Sequence, residues 1–180
     1  MNKVLVVGSI NMDLVVLTSR YPEIGETLTG EGFMTFAGGK GANQAVAASR
    51  LGSSVVMLGC VGNDAFGREL SARLLNEGVD TAWVDVIEEV ETGVAAITVA
   101  GGDNAIVVIP GANHRLSEAH VQAAEAGAAA QQHACSLEPV GLDQRVCGVQ
   151  AEATELAQEQ RQLAQVELGI ALADALGHPQ

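Results

Sequence analysis

The sequence predicts an α/β domain, a parallel sheet flanked by helices, with a small antiparallel sheet beside it acting as a lid. Three observations carry that expectation. Short β-branched runs at residues 3–7, 55–58 and 83–86 alternate with helical stretches at 44–51 and 68–77, the rhythm of strands joined by crossover helices. Residues 14–18 and 27–36, and again 92–99 and 104–109, are β-rich pairs with no helix-length pattern between their members, so each pair is expected to be antiparallel. Finally, Gly38-Gly39-Lys40-Gly41 forms a glycine turn that feeds directly into a helix of small residues.

The chain has 180 residues, 48% of them hydrophobic, enough for one domain with a real core. Its net charge of −13, with nine scattered basic residues, argues against a nucleic-acid or anionic-membrane surface and for a small-molecule partner. Cys60, Cys135 and Cys147 form no C-x-x-C pair and cannot all be bridged, which fits a reducing, cytoplasmic compartment. No apolar run reaches the roughly 18 residues needed to span a bilayer, and Met1-Asn2-Lys3 leads straight into a strand with no sign of a signal peptide.

Taken in order, Lys3 to Val7 reads as a first strand buried on both faces and ended by Gly8-Ser9. Asn11 and Asp13 follow at its carboxyl end, where open α/β sheets bind ligands; turn hydrogen bonding is the alternative use of such residues. Pro22 and Gly25 break the first antiparallel pair. The helix at 44–51 closes at Gly52, and the helix at 68–77, with Leu70, Leu74 and Leu75 on one face, closes at Gly78. Ala100-Gly101-Gly102-Asp103 is the tip of the second hairpin. After Pro110-Gly111-Ala112-Asn113 a helix is expected at 117–130, with Ser117 as its cap.

The glycine turn is the feature with chemical content. Where such a turn opens a helix, unpartnered N–H groups and the helix dipole favour oxygen-rich or anionic ligands. Lys40 adds a cation and Asn43 a donor-acceptor pair. It is neither a Walker A loop nor a Gly-x-Gly-x-x-Gly fingerprint, and a purely structural turn is the competing reading.

Gly8-Ser9-Ile10-Asn11-Met12-Asp13, Gly25-Glu26-Thr27, Gly38-Gly39-Lys40-Gly41-Ala42-Asn43-Gln44-Ala45, Gly62-Asn63-Asp64-Ala65-Phe66-Gly67, Gly78-Val79-Asp80-Thr81 and Pro110-Gly111-Ala112-Asn113 stand in order along the chain. Together they resemble the ribokinases, within the larger family of ribokinase-like (PfkB) carbohydrate kinases, from Val4 to about Ala124. The resemblance implies that Asp13 and Asn43 hydrogen-bond the hydroxyls of a sugar, ribose or a related pentose. It implies that Asn11, Gly38, Gly39 and Lys40 line the same pocket, with Lys40 also near the transferred phosphoryl group. Ala95 and Ile109 would be the apolar lid positions over the sugar, excluding water. ATP and Mg2+ are the implied cofactors, and a homodimer through lid strands at 14–18, 28–37, 94–99 and 104–109 the implied assembly.

The resemblance is incomplete. The family's Gly-Ala-Gly-Asp motif, whose aspartate is the general base, is not visible; Asp103 copies its letters at a hairpin tip and is rejected as the base. The family's Asn-x-x-Glu motif, which organises magnesium and phosphate, is missing too, so no catalytic residue is assigned. From residue 131 the chain is a different, glutamine- and alanine-rich tail, carrying nine of its glutamines, with a helical pattern over 152–176 and a faint sugar-site echo at Glu138. This tail is read as non-family sequence, from a frameshift or fusion, or else as a diverged C-terminal cap. His133, His178 and Cys135 lack the paired spacing of a metal site. Two function classes stay open: an ATP-dependent ribose kinase, and a non-catalytic fragment that binds sugar weakly.

Overall fold

Two sheets divide the strands according to how they are connected. The computed structural model describes residues 3–133, which fall in one unit, Met1–Cys135. The tail features expected at 134–180, among them Glu138, Cys135, Cys147, His178 and the helix at 152–176, lie outside the described residues. Within them the chain runs β1 (Lys3–Val7), β2 (Asn11–Leu17), β3 (Gly32–Gly38), α1 (Lys40–Arg50), β4 (Ser54–Gly62), α2 (Ala65–Asn76), β5 (Val79–Ile87), β6 (Gly93–Ala100), β7 (Asp103–Ile109), a 3-10 turn (Gly111–Arg115) and α3 (Glu118–His133).

Strands separated by a helix pair in parallel: β1 with β4 and β4 with β5, giving the order β1-β4-β5. Side chains alternate across this sheet. Met57 on β4 meets Val6, Val55, Ala42 and Ala45 of α1, and Leu70 and Leu74 of α2 in one buried cluster. Leu58 faces the other way, beside Trp83 and Ala119 and Ala123 of α3. Ile10, Met57 and Leu58 are fully buried, each contributing about 1.5–3 kcal/mol of hydrophobic stabilisation. The first strand departs from expectation. Only one of its faces is well covered among the described residues, with Leu5 and Val7 44% and 45% exposed, because β1 is an edge strand of this sheet and α1 covers the side bearing Val6.

Strands joined without a helix pair antiparallel, β2 with β3 and β6 with β7, and the two hairpins meet along a parallel β2·β6 seam to give the order β3-β2-β6-β7. The β6–β7 hairpin closes on Gly101 and Gly102, both at positive φ, the conformation a two-residue turn with the right twist requires. Asp103 pairs with Ala100 beside that turn. In the β2–β3 connection, the Gly25-Glu26-Thr27 stretch is structural: Glu26 accepts both terminal guanidinium nitrogens of Arg20, at 2.7 and 2.5 Å, and the Glu23 amide at 2.9 Å.

The first two helices begin earlier than their patterns predict. α1 starts at Lys40, directly after Gly39 at φ 95. Gly41 is tolerated in its first turn because the helix lies against β1 there: a Cβ on Gly41 would sit 2.7 Å from the Gly8 carbonyl carbon. α2 starts at Ala65 because Asp64 caps it, accepting the Gly67 amide at 2.7 Å. Asp64 also accepts the amide and hydroxyl of Thr92, each at 2.7 Å, and that hydroxyl accepts the Gly62 amide at 2.9 Å. Gly62-Asn63-Asp64 is therefore the anchor of the lid's second hairpin. Burial pushes the Asp64 carboxyl upward, but the hydrogen bonds from Thr92 and Gly67 outweigh it and hold the group below the usual value. Ser117 does not cap α3 by its hydroxyl; its Oγ lies 2.6 Å from His120 Nδ1, which also accepts the Ser117 amide at 3.1 Å.

Candidate functional site

Asp13 is where burial and chemistry conflict. It lies on β2 two residues beyond Asn11, so both side chains share one face of the sheet. Across the ladders Asn11 is opposite Gly38 and Gly93, and Asp13 is opposite Phe36 and Ala95. The Asp13 carboxylate overhangs Gly38 so closely that a Cβ there would collide with both its oxygens and displace the carboxylate. No hydrogen bond or cation among the described residues compensates Asp13, and burial raises its carboxyl from the usual 3.8 to about 6. A partly desolvated carboxylate with no protein partner, at the rim of a sheet, is a ligand acceptor by its chemistry.

The glycine turn completes the rim. Gly39 presses against the turn between β1 and β2, where a Cβ would meet the Ser9 carbonyl oxygen at 2.6 Å and the Asn11 amide nitrogen at 2.8 Å. The Ala42 amide donates to Ser9 O at 3.1 Å, so the start of α1 is tied to the same turn. No side chain caps α1, and its amino end carries Lys40 and Asn43, both exposed and three residues apart on one helix face. Asn11, Asp13, Gly38, Gly39, Lys40, Asn43 and Ala95 thus come from the adjoining ends of β2, β3, β6 and α1.

Ile109 does not join them. It pairs with Val94, which pairs with Met12, on the face opposite Asp13. Val108 is the residue opposite Ala95 and so the apolar position on the Asp13 face. Two further residues have no strong signal in the sequence. Gly93 lies opposite Asn11, and Asn113, in the 3-10 turn, bonds Ile10, Asn11 and Pro110 through its side chain. Asn113 stands within the Pro-Gly-Ala-Asn stretch, but nothing local to that stretch points to a partner 103 positions away.

A cavity of about 350 Å3 opens elsewhere, between β4, β5 and α3, lined by Leu58, Trp83, Asp85, Ala119, His120 and Ala123. Ser117, His120 and Asp85 have the letters of a hydrolytic triad, with His120 Nε2 3.3 Å from Asp85. However, His120 Nδ1 accepts the Ser117 amide at 3.1 Å and lies 2.6 Å from its hydroxyl, a helix-start arrangement that accounts for it. Among the described residues no cluster of three or more His, Cys, Asp or Glu could hold a metal ion.

The model of the pfkB family carbohydrate kinases matches residues 1–174. The chain belongs to the PfkB family. The match runs past Ala124, where the motif resemblance ends, and into the glutamine-rich tail. The ribokinase of Bacillus subtilis (strain 168) is 47% identical over 120 residues, covering 67% of this chain and 41% of that protein. A deoxyribokinase of Salmonella typhi is 44% identical over 115 residues, covering 63% and 38%. The solved Arabidopsis thaliana ribokinase, complexed with ribose and ATP, superimposes with a TM-score of 0.56 at 37% identity, covering 62% of this chain and 36% of that one. The chain thus spans about two fifths of the length of these PfkB relatives. The mixed architecture, a parallel sheet flanked by helices plus an antiparallel-hairpin sheet, is that of these ribokinase-like structures.

Proposed function

We propose that this chain carries the sugar-binding side of a PfkB kinase that transfers phosphate from ATP to ribose or a closely related pentose. The observation that carries the proposal is the uncompensated Asp13 carboxylate, set beside Asn11 and the α1 amino end. A carboxylate that accepts two hydroxyls, flanked by amides that can both donate and accept, reads a vicinal diol. Lys40 stands at the helix end where an incoming phosphoryl group would be stabilised. Ala95 and Val108 supply the apolar wall of the lid. The aspartate base and the nucleotide side have no counterpart in residues 3–133. Residues 3–133 on their own account for sugar binding and not for turnover, with a Kd on the order of 1 mM, about −4 kcal/mol.

The sheet face opposite Asp13 carries Val16, Phe33, Val107 and Ile109, with Phe33 and Val107 64% and 65% exposed. Covering that face with a second copy is the simplest way to bury it, so we assign a homodimer through the four-stranded sheet.

The deciding experiment titrates D-ribose into the isotope-labelled full chain. Amide resonances of Asp13 and Gly39 to Asn43 should move in parallel, and Asp13→Ala should abolish the movement. Absence of any shift at about ten times the expected Kd would defeat the proposal. A parallel arm with 2-deoxyribose tests the preference between the two sugars named by the relatives. ADP release with ribose and ATP, abolished by Asp13→Ala, would show instead that the chain is a complete catalyst.

A further inference from the structure

The hydrogen bonds around Asn113 determine the orientation of two amides in turn. One end of the Asn113 side chain faces two backbone carbonyls, Ile10 O at 3.1 Å and Pro110 O at 3.0 Å; only an NH2 group can satisfy both. The other end meets the Ile10 amide at 2.9 Å, which demands an oxygen. Asn113 can therefore be placed only one way round. Its Nδ2, whose two protons are shared among three acceptors, then lies 2.8 Å from the side chain of Asn11, where a second NH2 would meet donor with donor, so the Asn11 atom there is the acceptor Oδ1. The Asn11 amide is thereby fixed as well, and its Nδ2 has no partner among the described residues.

The Asn113 amide fills the space over Gly93. Gly93 is opposite Asn11 across the parallel seam, and a Cβ on Gly93 would run into Asn113 Nδ2. The same amide touches the carbonyl of Pro110, where β7 leaves the lid, and the peptide of Ile10, where β2 enters it. We propose that Asn113 is a positioning residue: it holds the Asn11 side chain with Oδ1 turned away and Nδ2 presented to the ligand as a donor.

Resting on the function proposed above, this assigns complementary roles to the two polar residues of β2. Asp13 accepts from the sugar and Asn11 donates to it. A ligand hydroxyl satisfies both, whereas a group that can only donate meets a mismatched Asn11. Replacing Asn113 by aspartate keeps the acceptor for Ile10 N and removes every donor. The Asn11 amide then turns to donate to the new carboxylate and presents Oδ1 instead.

The test is a double-mutant cycle on the full chain, read by ribose Kd and by the side-chain NH2 resonances of Asn11. Asn113→Asp should weaken ribose about tenfold in the parent background and by less than about twofold in an Asn11→Ala background, since no amide remains to be turned. It should also displace the Asn11 NH2 signals, identified by their loss in Asn11→Ala. Equal weakening in both backgrounds would overturn the proposal while leaving ribose binding intact. If the parent chain binds no ribose, the functional reading falls, and the Asn11 NH2 signals alone decide: unmoved in Asn113→Asp, they overturn the positioning role. The parent gives an answer even if the variants fail to fold. Ribose should shift the Asn11 NH2 pair and leave that of Asn113 in place; the reverse pattern would sink the idea.

Discussion

Replacing Asp13 by asparagine should stabilise the protein while removing its sugar affinity. The carboxyl rises from 3.8 to about 6 on folding, with burial as its cause. One unit corresponds to about 1.4 kcal/mol, so the rise sets an upper limit of about 3 kcal/mol. Asp13 is only half-buried, and solvent screening reduces this to about 1–2 kcal/mol. The sign follows from the proton balance. Between the two values the folded state holds a proton that the unfolded state has released, so stability falls as pH rises through this window. The penalty is absent below about pH 4 and complete above about pH 6. Asparagine has the same shape and no charge to desolvate. Urea unfolding of the parent and Asp13→Asn should give matching stabilities near pH 4 and an advantage of about 1–2 kcal/mol for the variant near pH 7.5. Comparing the two chains cancels the titration of the other acidic groups. A variant less stable than the parent at neutral pH, or an advantage that does not change with pH, would refute the account of Asp13 as an uncompensated carboxylate. Because sugar hydroxyls donate more strongly to the ionised form, ribose affinity of the parent should rise with pH through about 6 and level off above it.

Gly41→Ala should destabilise by about 1–2 kcal/mol in denaturant melts, despite a gain of about 1 kcal/mol in helix propensity, because the added Cβ meets backbone of Gly8 that cannot move aside. Asp64→Ala removes the α2 cap and both Thr92 bonds, and should cost about 2–3 kcal/mol, with fast hydrogen exchange appearing at Thr92 and Gly67; unchanged exchange there would count against the anchor. Light scattering at tens of micromolar should give the mass of two chains, and Val107→Glu the mass of one, with ribose shifts preserved because Val107 points away from Asp13. A monomeric parent would defeat the dimer.

The parts of the fold set by local pattern could be read directly. Strand runs ended by glycine, helices closed at Gly52 and Gly78, and the Gly101-Gly102 hairpin all follow from residues adjacent in sequence. What could not be read depends on register and distance. Ile109 and Val108 are equally apolar neighbours, and only the pairing of β7 with β6 decides which shares the face of Asp13. The start of α1 at Lys40 is hidden because two of the residues around it are glycines, which local propensity assigns to a turn; contact with Gly8 overrides that preference. Asp13 was legible as a candidate from its place after the first strand, whereas its isolation from any protein donor is a property of the folded site. Asn113 was visible as a letter in a motif, and its role arises only through the return of the chain to Ile10.

The seam between β2 and β6 also governs when the site comes into being. Asn11 pairs with Gly93, and Asp13 with Ala95, only after the chain has passed through α1, β4, α2 and β5. Each hairpin can form early from neighbouring residues, but joining them closes a long loop, whose entropy must be overcome before the seam returns any stabilisation. The parallel core can therefore assemble on the ribosome or during refolding while Asn11 still lacks the neighbours that orient it. Competence to hold a ligand therefore requires the seam to have closed, and a sugar in the medium would select for chains in which it has.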